Sequence, residues 1–210
     1  MPDQRRLGAI LYDQFEMLDL YGPLEMFGCL GDEVEIVTVA EQKGPVATGP
    51  GVETVARHDF GDCPKLDLLL VPGGFGTIAQ LANEALLDFL RARSAEAEVV
   101  MSVCSGSALL ARAGLLDGRR ATSNKMYFDL AAAQGEKVHW VTQARWVEDG
   151  PFATSSGVSA GTDMALAVIA RLYGRERAER IAVFTEYSWH TDADHDPFAA
   201  YLNQAEGNLP

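Results

Sequence analysis

An α/β domain is the architecture this sequence predicts, on three observations. The chain has 210 residues, 48% of them hydrophobic and 22% charged, enough for one domain with a sizeable core. Short β-branched apolar runs, the composition of strands buried on both faces, recur along it and lead into segments of helical periodicity. The clearest junction is Glu98 to Gly114, EVVMSVCSGSALLARAG. There the run Val99 to Val103 passes through Cys104, Ser105 and Gly106 into a small-residue, Leu-rich stretch that Gly114 stops.

The elements before that junction come in order. Leu7 to Tyr12 (LGAILY) predicts a first buried strand. Pro23 suits the first turn of a helix in which Leu24, Phe27 and Leu30 share a face. Asp19 then falls in the loop between them, with two readings that the residues leave even. It is either a helix cap or a carboxylate beside a nucleophile, since loops after strand C-termini converge on one crevice. Val34 to Ala40 predicts a second strand, and the turn-rich Gly44 to Gly51 a small hairpin. Leu66 to Val71 predicts a third core strand running into Pro72-Gly73-Gly74-Phe75-Gly76. Glycines there allow either an oxyanion-binding N–H or a plain tight turn into a helix over Leu81 to Ala95. The segment is not a phosphate loop, having neither GK[ST] nor GxGxxG.

Cys104 has the placement of a nucleophile elbow, a sharp strand-to-helix turn that needs small neighbours. Helix N–H groups and dipole at such a turn favour thiolate over thiol. The plainer alternative is a buried structural cysteine. Beyond it, Arg120 to Ser123 predicts a short strand and Met126 to Gln134 a helix. Val138 to Val141, Arg145 to Val147 and Phe152 to Thr154 predict strands, the last two joined by a turn at Glu148-Asp149-Gly150. Ser155 to Gly161 is a second small-residue junction, leading to an apolar helix Thr162 to Tyr173 and an amphipathic one from Arg175 to about Tyr187.

Composition sets limits on function. A formal net charge of −13 argues against nucleic acid as a partner. No apolar run reaches membrane-spanning length and the N-terminus lacks the form of a signal peptide, so a cytoplasmic location is expected. Cys29, Cys63 and Cys104 fit neither a disulfide framework nor a zinc site. His58 and His139 stand alone. His190 and His195 lie among Asp192, Asp194 and Asp196, a run that reads as a solvated loop in preference to a metal site.

Five landmarks occur in order: Asp19-Leu20-Tyr21-Gly22-Pro23, Pro72-Gly73-Gly74, SVCSGS around Cys104, AGLLDGRRAT from Ala113 to Thr122, and SAGTDMAL from Ser159 to Leu166. Together they resemble the ThiJ/PfpI superfamily, also described as class I glutamine-amidotransferase-like, from about Leu7 to Tyr187. Within it the likeness is greatest to isocyanide hydratases and to the amidotransferase-like domains that precede AraC-type regulators. The resemblance implies one domain over residues 1–210, a flavodoxin-like three-layer α/β/α sandwich with a mostly parallel sheet, a homodimer, a small-molecule substrate and no cofactor or metal.

Carried over position by position, it makes Cys104 the nucleophile and Asp19 its acid/base partner. It makes the backbones of Gly74 and Ser105 anion-binding, and Gly157 and Val158 lining for the substrate. The implied reaction is hydration of an isocyanide to an N-formamide through a thioimidate on Cys104. Many relatives have a histidine where this chain has Asn124, which argues against a Cys-His peptidase or glutaminase. The alternatives are a cysteine redox sensor or ligand-binding protein without catalysis, and a glyoxalase or deglycase-like activity. That last activity ranks third because Asp19, not Glu16 or Glu25, matches the motif.

Overall fold

The computed structural model describes residues 4–204. Eleven strands lie among them: β1 (Arg5–Ile10), β2 (Val34–Ala40), β3 (Gly44–Ala47), β4 (Glu53–Ala56), β5 (His58–Asp59), β6 (Leu68–Val71), β7 (Val99–Val103), β8 (Arg120–Ala121), β9 (His139–Trp140), β10 (Trp146–Asp149) and β11 (Phe152–Ser155). The helices are α1 (Met17–Gly28), α2 (Thr77–Gln80), α3 (Glu84–Ser94), α4 (Gly106–Arg112), α5 (Phe128–Ala132), α6 (Ala160–Tyr173) and α7 (Arg175–Phe184).

Seven strands form the central sheet in the order β10-β11-β7-β6-β1-β2-β5. Every pairing in it is parallel except β10 with β11. The inner strands β6 and β7 are almost continuous apolar runs, broken only by Ser102, because helices cover both faces: Leu68–Val71 and Val99–Val103 are buried at every position. Helices α1 and α7 pack on α6, and α4 packs on α2, α3 and α5, completing the expected three-layer α/β/α arrangement. Strand order reverses about β1, with β2 on one side and β6 on the other. Ligands in open α/β sheets bind at such a switch point, beyond the strand C-termini.

Three predicted elements differ in informative ways. Helix α1 begins at Met17, so Pro23 lies inside it and Asp19 is in its first turn instead of a loop. The expected helix over Leu81 to Ala95 is α3, which starts only at Glu84, where Asn83 caps it by accepting from Leu86 N–H at 3.2 Å, and the short α2 precedes that range. Strand β10 continues through Asp149, which moves the turn to Gly150 and Pro151. The hairpin expected near Gly44 is present as β3 with β4. Strand β5, two residues long, has no periodicity to announce it. Among the described residues, no helix is long and apolar enough to cross a membrane.

Candidate active site

Three adjacent strands carry the site residues to one place. Cys104 directly succeeds β7, Gly73 and Gly74 lie just past β6, and Asp19 stands on the helix after β1. Cys104 has φ +57, a left-handed conformation that a non-glycine residue adopts only when its surroundings impose it. Its N–H is held by the Ser155 carbonyl at 3.2 Å, and its carbonyl accepts the Ser107 and Ser123 hydroxyls at 3.1 Å each. The sulfur is therefore presented from a fully bonded backbone.

Gly73 sits between Asp19 and Cys104. Its N–H donates to Asp19 Oδ2 at 2.9 Å, while a Cβ at this position would lie 2.6 Å from Ser105 N and 2.9 Å from Cys104 Cβ. Only glycine allows that approach. Asp19 is fully buried, and its Oδ1 receives no hydrogen bond from a nitrogen or oxygen donor among the described residues. It does not cap α1. The Cys104 thiol is close enough to lower its proton affinity.

The electrostatics run against the expectation of a readily formed thiolate. Burial pushes Asp19 well above the usual carboxylate range, against the lowering effect of the Gly73 N–H and the Cys104 thiol. Burial, and then the Asp19 charge, push Cys104 well above an ordinary thiol. The Ser105 N–H, the Asn124 side chain and the Ser105 hydroxyl oppose that rise. Helix α4 is only seven residues long, and the desolvation of a sulfur beside a carboxyl group outweighs it.

Ser105 and Gly74 have divided roles. The Ser105 N–H lowers the proton affinity of the sulfur. The Gly74 N–H, expected to bind an anion, donates to Ser105 Oγ at 3.1 Å and so is engaged within the protein. The same hydroxyl joins a buried chain through Thr77 Oγ1 at 2.9 Å to Tyr12 OH at 3.0 Å. Tyr12 donates to the Pro72 carbonyl at 2.6 Å, so Thr77 donates to Tyr12.

Asn124 completes the site. Its Oδ1 accepts the Tyr127 N–H at 3.1 Å, which turns Nδ2 toward Cys104. Gly157 lies against both groups: a Cβ there would fall 2.4 Å from Asn124 Nδ2 and 2.9 Å from Cys104 Sγ. Val158 lines the cavity in front of the sulfur, about 390 Å³ in volume. Phe75, Ile78, Met126 and Leu130 make that cavity mostly apolar, with Glu16 as its charged member. A larger cleft of about 490 Å³, lined by Asp13, Glu41, Lys43 and Asn83, opens elsewhere and does not include Cys104.

The structure thus brings together Cys104, Asp19, Gly74, Ser105, Gly157 and Val158. Sequence reasoning marks Asn124 only as a departure, although its place where relatives have histidine is a signal of proximity to the sulfur. The isolated histidines lie elsewhere: His58 pairs with Asp62 at 3.5 Å and His139 is exposed on β9. The His/Asp run is not simply solvated, because Asp196 is buried between Lys125 and Arg145. Among the described residues, no group of three or more His, Cys, Asp or Glu could hold a metal ion.

Comparison with known proteins agrees with this geometry. The DJ-1/PfpI family model matches residues 5–171. Isonitrile hydratase of Pseudomonas putida is 37% identical over 183 residues, covering 87% of this chain and 78% of that protein. The HTH-type transcriptional regulator CdhR of Pseudomonas aeruginosa is 33% identical over 139 residues, covering 66% of this chain and 41% of the regulator. A crystal structure of a ThiJ/PfpI family protein from Pseudomonas syringae superposes with a TM-score of 0.82 at 36% identity, covering 93% of this chain and 77% of that one. With its sheet order, its cysteine at the β7–α4 turn and a family match over most of its length, this chain belongs to the DJ-1/PfpI family.

Proposed function

We propose that the protein is a cysteine-dependent enzyme that hydrates isonitriles to N-formamides, with Cys104 as nucleophile on an elbow and Asp19 as acid/base. The observation that carries this reading is the buried Asp19–Cys104 pair with no histidine beside it, facing an apolar cavity. Hydrolysis of an amide or ester needs a proton delivered to a leaving group, the usual work of a histidine. Hydration of an isonitrile expels no part of the substrate, and its first proton goes to carbon.

The reactive form is the thiolate opposite a protonated Asp19. Sulfur bonds to the terminal carbon of R–NC as Asp19 protonates that carbon, giving the thioimidate R–N=CH–S on Cys104. The Asp19 carboxylate then takes a proton from water as its oxygen adds to that carbon, and passes the proton to nitrogen. Collapse of the adduct breaks the C–S bond, returns the hydroxyl proton to Asp19 and the electron pair to sulfur, and releases R–NH–CHO. Asp19, raised by burial, suits this cycle because it holds a proton where an exposed carboxylate would not. The Ser105 N–H and Asn124 amide offset the charge on sulfur.

The test is loss of isonitrile absorbance, with the formamide identified by mass, for wild type, Cys104→Ala and Asp19→Ala. Turnover by wild type that disappears in both variants supports the reading and both roles. Wild type without turnover, but with Cys104 still alkylated, refutes the substrate. One observation favours a second reading: Glu16 also lines the cavity, as a glyoxalase-like activity would use. Conversion of methylglyoxal, lost in Glu16→Gln but retained in Asp19→Ala, would favour that activity instead.

A further inference from the structure

The family match ends at residue 171, yet the site leans on residues C-terminal to that point. After α7 the chain runs without helix or strand through Tyr187 to Asp196 and closes in a 3-10 turn, Pro197–Tyr201. This strap lies behind the two loops that face Cys104, the one holding Asn124 and the one running from Ser156 to Val158.

Asp196 joins them. Its side chain is 0% exposed and lies 3.7 Å from Lys125 Nζ and 3.6 Å from Arg145 Nη1, both also buried. Lys125 is the residue after Asn124. Its ammonium donates to Thr122 Oγ1 at 2.8 Å and to the Ala144 carbonyl at 2.6 Å, while its own carbonyl accepts the strap's Asn203 N–H at 2.8 Å. Arg145 donates to Asp163 at 2.7 Å, and its backbone N–H donates to the strap's Ala193 carbonyl at 2.8 Å. The Arg145 carbonyl accepts the N–H of Ser156, which precedes Gly157 and Val158. Asn203 and Asp129 exchange two further hydrogen bonds, at 2.9 and 2.8 Å. A single carboxylate on the strap therefore bears on the cations behind both walls of the cavity.

We infer that the strap of residues 187–204 sets the geometry of the reactive cysteine, with Asp196 and Lys125 as positioning residues that hold Asn124 and the Ser156–Val158 loop against Cys104. It rests on the role proposed above for Cys104 but not on the isonitrile as substrate. Neither wall is regular secondary structure, so side-chain anchors must supply the rigidity that a helix or strand would. Removing one partner of a buried ion cluster leaves the others uncompensated and drives them to rearrange.

The experiment compares the full chain with Asp196→Asn and Asn203→Ala. Asn203 is exposed, and its φ of +55 is one that alanine tolerates less well, so its replacement loosens the strap without touching the buried charges. Each protein is alkylated with iodoacetamide across a pH series and assayed for kcat and KM on an alkyl isonitrile, with folding monitored by circular dichroism. The expected result for Asp196→Asn is alkylation shifted to higher pH and kcat lowered about tenfold or more, KM changing less. Asn203→Ala should move both in the same direction by less. The sign is diagnostic: loss of a negative charge alone would move alkylation to lower pH, whereas loss of the Asn124 donor moves it higher. If both folded variants keep the wild-type alkylation profile, the cluster is a staple for the fold and the inference is overturned. Should Asp196→Asn not fold, Asn203→Ala decides by the same readouts. Should wild type not turn over the isonitrile, alkylation still decides, because it needs no substrate.

Discussion

Asn124 turns its amide nitrogen toward the Cys104 sulfur because the Tyr127 N–H occupies its amide oxygen at 3.1 Å. A carboxamide in that place donates a hydrogen bond but carries no proton through a reaction. In the proposed reaction the labour is therefore divided: Asn124 would offset charge on sulfur, and Asp19 would handle protons. Asn124→Ala removes the donor, and isonitrile turnover should fall by about a hundredfold, the usual consequence of losing one donor to a developing anion. Asn124→Asp should be worse, placing a second carboxylate beside the sulfur, and its Cys104 should alkylate only at still higher pH. Alkylation rates with pH and steady-state kinetics on the same samples check both. Unchanged alkylation in Asn124→Ala would remove the amide from the site's chemistry.

Asp19 makes a prediction about stability as well as rate. Its proton affinity in the folded protein is raised by burial, whereas the unfolded chain has an ordinary carboxylate near 3.9. Below both values the two states are protonated alike. As pH rises past the unfolded value, the unfolded state loses its proton first, so this group's contribution to folding becomes less favourable up to the folded value. Asp19→Asn keeps the shape and the Gly73 N–H partner without that penalty. It should melt at higher temperature than wild type at neutral pH and show a smaller difference near pH 4, while losing turnover. Thermal melts across that pH range check it, and equal differences at both ends would contradict a buried, protonated Asp19.

Much of this is legible in the residues, and the remainder is hidden for physical causes. Val99 to Val103 announces its strand because burial on both faces leaves apolar side chains at every position but Ser102. Asp19 reads as a loop residue because Pro23, a good first-turn residue, marks a helix start in sequence although it stands inside α1. The proximity of Asp19 to Cys104 depends on the order β7-β6-β1, a long-range fact that no local pattern carries. The Gly74 N–H looks available for an anion because its partner, Ser105 Oγ, lies 31 residues away. The helix terminus alone would lower the proton affinity of Cys104, and burial overrides it. Asp196 reads as solvated because a carboxylate in a polar run gives no sign of two buried cations waiting for it.

The cavity wall makes a prediction about substrate preference. Phe75 and Ile78 are 62% and 61% exposed while lining the space in front of Cys104, so they stand at its mouth and not at the reacting atoms. Contact with them should help bind a bulky apolar substrate and do little for a small one. Phe75→Ala should raise KM for a cyclic or long-chain alkyl isonitrile roughly fivefold, about 1 kcal/mol of apolar contact, with kcat nearly unchanged. For methyl isonitrile it should change neither. A fall in kcat for both substrates would place Phe75 closer to the chemistry than its exposure indicates.

Lys125 extends the argument to alkaline pH. Burial brings its ammonium down to about 8, against the raising effect of Asp196. The unfolded chain keeps that proton to about 10.4. Between those values the unfolded state holds one more proton than the folded state at this site, so its contribution to stability grows as pH rises. The growth amounts to at most about 3 kcal/mol over that window. Buried Cys104 works in the opposite direction in the same range, because there the unfolded thiol ionises first. The two are separated by comparing wild type with Lys125→Met, in which only the lysine contribution is removed. Urea unfolding at pH 7.5 and pH 9.5 should show the wild type gaining stability relative to Lys125→Met as pH rises. A constant difference between the two proteins would mean that Lys125 keeps its proton beside Asp196 throughout, and that the strap is held by a full ion pair at every pH at which the protein is folded.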